Sequence, residues 1–152
     1  MKDFTEFMNN PTNRIASQTQ FTSGIEGYVY DGIDGSQMAF WTNPNGGKSV
    51  EHTHECDEYI VVVQGKYSII IERKRIPIKV GEEYLIMKGI LHGGESEPGT
   101  STNHAFGGKR AERESEIKTV LGHSRYTGHR APKFPPRLRK TRLWKMPLLF
   151  VP

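Results

Sequence analysis

His52 and His54 stand two residues apart in "VEHTHECDEYIVVVQG" (50–65), and Glu58 follows four residues later. Imidazole nitrogens and carboxylate oxygens are the ligands of divalent transition metals. On a strand, alternate side chains share a face, so His52 and His54 would project together, roughly 6–7 Å apart. At that separation two imidazoles can converge on one ion. Glu58 keeps the same parity if "ECD" preserves the register, and Ile60 and Val62 then continue inward as core. Two surface histidines ahead of a buried strand would read the same way. A second stretch, "GEEYLIMKGILHGG" (81–94), places His92 just beyond a strand-like run between Gly81 and Gly89. An antiparallel barrel can bring His92 opposite His52 and His54.

The elements that must hold these groups are short strands. Runs rich in β-branched and aromatic residues predict strands near 25–30, 36–42, 50–54, 58–64, 66–73, 75–79, 83–87 and 103–107, with a weaker one near 117–121. "DGIDG", "NPNGG", "QGK", "VGEE" and "KGILHGG" supply the turns between them. No stretch carries a capped 3.6-residue apolar period. The class is all-β, a sandwich or barrel.

Together the two stretches resemble the two-part motif of the cupin superfamily, G(x)5HxH(x)3,4E(x)6G followed by G(x)5PxG(x)2H(x)3N. Gly46, His52, His54, Glu58 and Gly65 complete the first part. Gly81, Gly89 and His92 match the second, where Met87 replaces the usual proline and Ser96 the usual asparagine. The resemblance implies a cupin double-stranded β-helix, a jelly-roll barrel, over residues 23–121. It would be preceded by an N-terminal arm (1–22) and followed by a basic, proline-rich C-terminal extension (122–152). It also implies His52, His54, Glu58 and His92 as ligands of one divalent transition metal per subunit: Fe, Mn, Ni, Co or Zn. Four protein ligands close a tetrahedral zinc site of structural type. A catalytic role therefore favours an octahedral ion with open positions.

Residues 1–116 hold 12 Lys/Arg against 17 Asp/Glu, a net charge of −5, whereas residues 117–152 hold nine Lys/Arg and no acid. This asymmetry is that of an acidic domain with a basic tail, not of a uniformly basic nucleic-acid-binding protein. The tail could embrace a second subunit or tether the chain to nucleic acid or acidic lipid, or it could be non-native sequence. A homodimer is the expected assembly, since small cupins often dimerise through their terminal strands. The longest apolar run, "IVVV", is far too short to span a bilayer. The start of the chain lacks the apolar core of a secretory signal, and the single cysteine, Cys56, fits a reducing compartment. The cytoplasm is the expected location.

His104, in "STNHAFGG", is a candidate catalytic acid–base or a donor to the ligands, and equally a satisfied core histidine. Cys56 reads as a buried packing thiol. Tyr28, Tyr30, Phe40, Trp41, Tyr59 and Phe106 read as barrel core. Two functions follow. One is a metalloenzyme oxygenating, isomerising, decarboxylating or eliminating from a small carboxylate, keto-acid or enolate. The other is a non-catalytic module that senses a sugar or acid through its metal.

Overall fold

The computed structural model describes residues 5–117. Nine strands form two antiparallel sheets: β1 (Glu26–Asp31), β2 (Gln37–Asn43), β3 (Gly47–Lys48), β4 (Glu58–Gln64), β5 (Tyr67–Ile71), β6 (Lys74–Ile78), β7 (Glu83–Ile86), β8 (His92–Ser96) and β9 (Thr100–Phe106). The five-stranded sheet runs β1-β2-β9-β4-β7, and the four-stranded sheet runs β3-β8-β5-β6. This is the expected all-β, cupin-type jelly roll.

Period-two alternation decides what faces inward. On β4, Glu58, Ile60 and Val62 are buried. On β9, Thr102, His104 and Phe106 share the inner face, and on β2 so do Ala39 and Trp41. Cross-strand register lays His104 between Ala39 and Ile60. Ile60, Val62, Ile69, Ile78 and Ile86 pack as one apolar cluster. A second cluster gathers Ile15, Ile25, Val29, Ala39, Trp41, Phe106 and Ala111, with Cys56 against it. Of the aromatics expected in the core, Trp41 and Phe106 are buried. Tyr28, Tyr30 and Phe40 are half-buried, and Tyr59 is exposed because it alternates with the inward Glu58 and Ile60.

The strand expected at 50–54 is not there. The segment between β3 and β4 is irregular, apart from a single bridge between His52 and His92. Glu51, Glu55 and Asp57 disfavour a strand, and cross-links hold the segment instead. Ser49 N–H donates to Gly94 O, Val50 N–H to Phe21 O, and Gly89 N–H to His54 O, at 2.8, 3.0 and 3.0 Å. The run expected as one strand over 66–73 stops at Ile71, because Glu72 and Arg73 turn the chain at φ 51° and 63°. That reversal carries none of the Asn or Gly that usually marks one. Conversely, "HGGES", which reads as the end of a turn, is strand β8.

Residues upstream of β1 make three 3-10 turns, Glu6–Met8, Pro11–Asn13 and Ser17–Thr19, and bury Met8, Ile15 and Ala16. They pair with the segment after β9. Ala16 N–H donates to Glu112 O and Glu114 N–H to Arg14 O, at 2.8 and 3.0 Å. Ile117 ends a helical turn over 114–117 rather than starting a strand. The rest of the strand expected near 117–121, and the basic extension, lie outside the described residues. Among the described residues no helix is long and apolar enough to cross a membrane.

Candidate metal centre

The irregular segment carries His52 and His54, β4 begins with Glu58, and β8 begins with His92. The result is a cluster in which ligand nitrogens of His52, His54 and His92 all lie within 4.8 Å of one another. Ring centroids are 4.5–5.0 Å apart, closer than two alternate positions on a strand would allow. Breaking the strand is what lets His52 and His54 lean toward one point.

His52 and His92 are anchored alike. Nδ1–H of His52 donates to Val50 O, and Nδ1–H of His92 to Ile90 O, both at 2.8 Å. A carbonyl only accepts, so each Nδ1 bears the proton and each Nε2 keeps its lone pair for the centre. Burial first, then the two neighbouring histidines, pulls His52 down to about 4, against the raising effect of the Val50 carbonyl. It is neutral at ordinary pH. For His92, burial works downward, but the Glu58 carboxylate and the Ile90 carbonyl outweigh it and raise the pKa.

Glu58 is buried beside the cluster. Its Oε2 lies 3.0 Å from His54 Nε2 and 3.2 Å from His92 Nε2. Yet neither Glu58 Oε2 nor His54 Nε2 has a hydrogen bond of acceptable geometry. Two buried polar atoms side by side without a bond between them are expensive. Adjacent ligands of an octahedral ion at about 2.1 Å stand about 3 Å apart, so this spacing suits a shared cation. Burial pushes the Glu58 carboxyl up, but the imidazoles of His104, His54 and His92 hold it well below the usual carboxylate range. The three-histidine cluster could therefore bind one metal ion.

His104 sits behind Glu58. Its Nδ1–H donates to Glu58 Oε1 at 2.7 Å, and its Nε2 accepts from the Thr102 hydroxyl at 2.8 Å. Trp41 packs on its ring at a centroid distance of 4.3 Å. Cys56 packs on the barrel end, where burial and the Glu58 and Asp57 carboxylates raise its thiol pKa. Such surroundings disfavour the reactive thiolate.

One cavity opens onto these groups, lined by His52, Glu58, His92 and His104. Three further residues shape it that sequence reasoning does not place there. Phe21 stacks on His52 at 3.7 Å and 18°. Arg110 lies beneath Phe21 and donates to Gln20 Oε1 at 2.6 Å. Tyr67 reaches in from β5 over Gly94, where a Cβ would meet the Tyr67 hydroxyl at 2.2 Å. Phe21 is the lone apolar side chain in the polar run "QTQFTS", the one sequence signal that it packs on something. Arg110, inside "GGKRAERE", reads as an ordinary solvated charge.

Residues 39–102 match the family model described as a cupin domain. No curated protein matches the sequence significantly. Among solved structures, an RmlC-like cupin from Shewanella frigidimarina aligns at TM-score 0.54 and 13% identity, over 77% of this chain and 99% of that one. KdgF from Halomonas sp. aligns at TM-score 0.51 and 19% identity, over 63% of this chain and 87% of that one. A cupin superfamily protein from Desulfitobacterium hafniense aligns at TM-score 0.50 and 12% identity, over 54% and 75%. Identities this low speak for the fold alone. The family model falls on the strands that build the histidine cluster, and the two sheets align with solved cupins: the barrel of this chain has the cupin fold.

Proposed function

We propose that His52, His54, Glu58 and His92 hold one divalent transition-metal ion and that the chain is a metalloenzyme acting on a small anionic metabolite. The observation that carries this reading is the pair of unbonded buried atoms, Glu58 Oε2 and His54 Nε2, beside the converging imidazoles. Such a donor set suits Fe, Mn, Ni, Co or Zn. Bound there, the ion supplies Lewis-acid or redox chemistry. Three neutral imidazoles and one carboxylate leave a net charge of about +1 around a divalent ion, which favours a carboxylate, keto-acid or enolate. Oxygenation, isomerisation, decarboxylation and elimination are the reactions open to such a substrate.

The chain's own residues have separable tasks in this reading. The Val50 and Ile90 carbonyls fix the tautomers of His52 and His92. His104 fixes Glu58 and, lining the cavity, is the proposed proton-handling residue. Trp41, Phe21 and Phe106 keep the surroundings apolar, so charge inside is weakly screened. A second copy of the chain is the proposed partner, on the outer face of the five-stranded sheet where Met38, Tyr59 and Leu85 are exposed.

One observation favours the non-catalytic alternative. Both ring nitrogens of His104 are engaged, and Glu58 Oε1 is committed to it, so neither is a free proton-transfer group. Metal content per subunit, measured by mass spectrometry on protein purified without a nickel column, tests the centre. Near-stoichiometric metal that is lost in His52→Ala is the expected result. No metal in either protein after reconstitution would sink it. Loaded protein that binds acids but turns none over would select the sensor.

A further inference from the structure

Arg110 and Arg113 lie three residues apart in the segment after β9, and their surroundings differ. Arg113 is buried with carboxylates at hand: Asp31 at 2.8 Å and Glu116 at 3.5 Å. Arg110 has no carboxylate within 4.0 Å among the described residues. Its guanidinium carbon lies 4.7, 5.3 and 5.7 Å from the ring centroids of Phe21, Trp41 and Phe106. Its backbone N–H donates to Gln37 Oε1, but among the described residues its guanidinium bonds only the neutral Gln20 amide, and its Nε is buried without a hydrogen-bond partner.

A cation removed from water and left without an anion is costly, and aromatic faces offset only part of that cost. Glu58 acts on it only through space, without a contact, and its Oε1 is committed to His104. Arg110 lines the same cavity as His52, Glu58 and His92. With a divalent ion at the centre, the cavity would carry the charge of that centre and a second, separate positive charge. A ligand bearing one acid group satisfies only one of them.

Building on the metal-centre reading, we propose that Arg110 is the acid-binding residue of this cavity, receiving the second carboxylate of a small dicarboxylate whose other end lies at the three-histidine centre. Gln20 and Phe21 are its positioning residues. Gln20 takes one edge of the guanidinium and Phe21 covers its face, which leaves the remaining N–H groups for the acid. The planar fork of an arginine matches a carboxylate through two hydrogen bonds.

The test compares each of malonate, succinate and glutarate with its own monoamide, which has the same length and one charge fewer. Full-length protein is titrated calorimetrically, loaded with manganese and also metal-free. At least one diacid should bind about tenfold or more tighter than its monoamide. Arg110→Met keeps the packing length and should bring that ratio to within about twofold at unchanged metal content. Arg110→Lys should retain part of the preference, and Gln20→Ala should weaken it with Arg110 still present. Should Arg110→Met fail to fold, the Lys and Gln20 variants carry the same comparison.

A preference that survives in Arg110→Met, or a wild type that never prefers diacid to monoamide, overturns the proposal. The metal-free titration separates the two readings. A ratio that depends on Arg110 without metal supports the acid site even if the metal reading fails. Stoichiometric metal without any ratio removes the acid site and leaves the metal centre standing.

Discussion

His52 and His92 face each other as a reciprocal pair: N–H of each donates to the carbonyl of the other, at 2.9 and 3.0 Å. Each ring then bonds the carbonyl two residues before it. One bridge therefore fixes two backbones, two tautomers and two ring directions. Removing either ring should empty the centre, while removing a group behind the ligands should only loosen it. His104→Ala is expected to weaken metal affinity by about 10–100-fold, with His104→Gln recovering part of it by donating to Glu58. Competition against a chromophoric chelator reads both. Unchanged affinity in His104→Ala would mean that Glu58 needs no support.

Phe21 is expected to matter more to the centre than to the barrel. Phe21→Ala removes the ring stacked on His52 and the cover over Arg110. An aromatic pair of this kind is worth about 0.5–1.5 kcal/mol. A fall in thermal midpoint of a few degrees is expected, together with faster metal release to chelator. Release at the wild-type rate would show that the stack does not steady His52.

The core should be far less tolerant. Ile69 is completely buried among Ile60, Val62, Ile78 and Ile86. Ile69→Ala is expected to cost about 2–5 kcal/mol through lost burial and the cavity left behind. Chemical denaturation measures this directly. A cost below about 1 kcal/mol would show that the two sheets close over the gap.

Acid should loosen the segment after β9. Gln37, then Arg113, hold the Asp31 carboxyl below its ordinary value of 3.8, with burial opposing them. The Arg113 backbone N–H, then Lys109, lower Glu116 in the same direction. Both groups are depressed in the folded state, so their stabilisation is complete above the unfolded values and disappears as pH falls through the folded ones. Asp31 is half exposed, which limits its share to about 0.2–1 kcal/mol. Thermal midpoints should decline below about pH 4, and Asp31→Asn should decline less over that interval. Equal slopes in the two proteins would remove Asp31 from the account.

The three-histidine cluster was legible because its punctuation is local. Gly46, Gly65, Gly81 and Gly89 all sit at φ between 66° and 83°, where other residues are strained, so their spacing records the path of the chain. The inward set on β4 was legible from alternation. The irregular course of 50–57 was not, because H-x-H has the same period whether or not a strand carries it. Nor was the Glu72–Arg73 reversal, which uses two charged residues at positive φ. Arg110 stayed hidden for a different reason. Nothing in its neighbours distinguishes an arginine covered by Phe21 and Trp41 from one in water, because both aromatics lie at least 69 positions away in sequence.

The bond between Gln20 and Arg110 spans 90 positions of the chain, and Ile15 pairs with Arg113 across a similar interval. Contacts of such long range carry a heavy entropic cost before they return anything, so they tend to close late in folding. The strands that carry Glu58 and His92 assemble through shorter loops. Synthesis from the N-terminus would leave the Gln20 amide oxygen waiting for a guanidinium that emerges only after β9. The cavity would thus be sealed by the two ends of the fold meeting, and a ligand-ready centre would report that the whole barrel has been made.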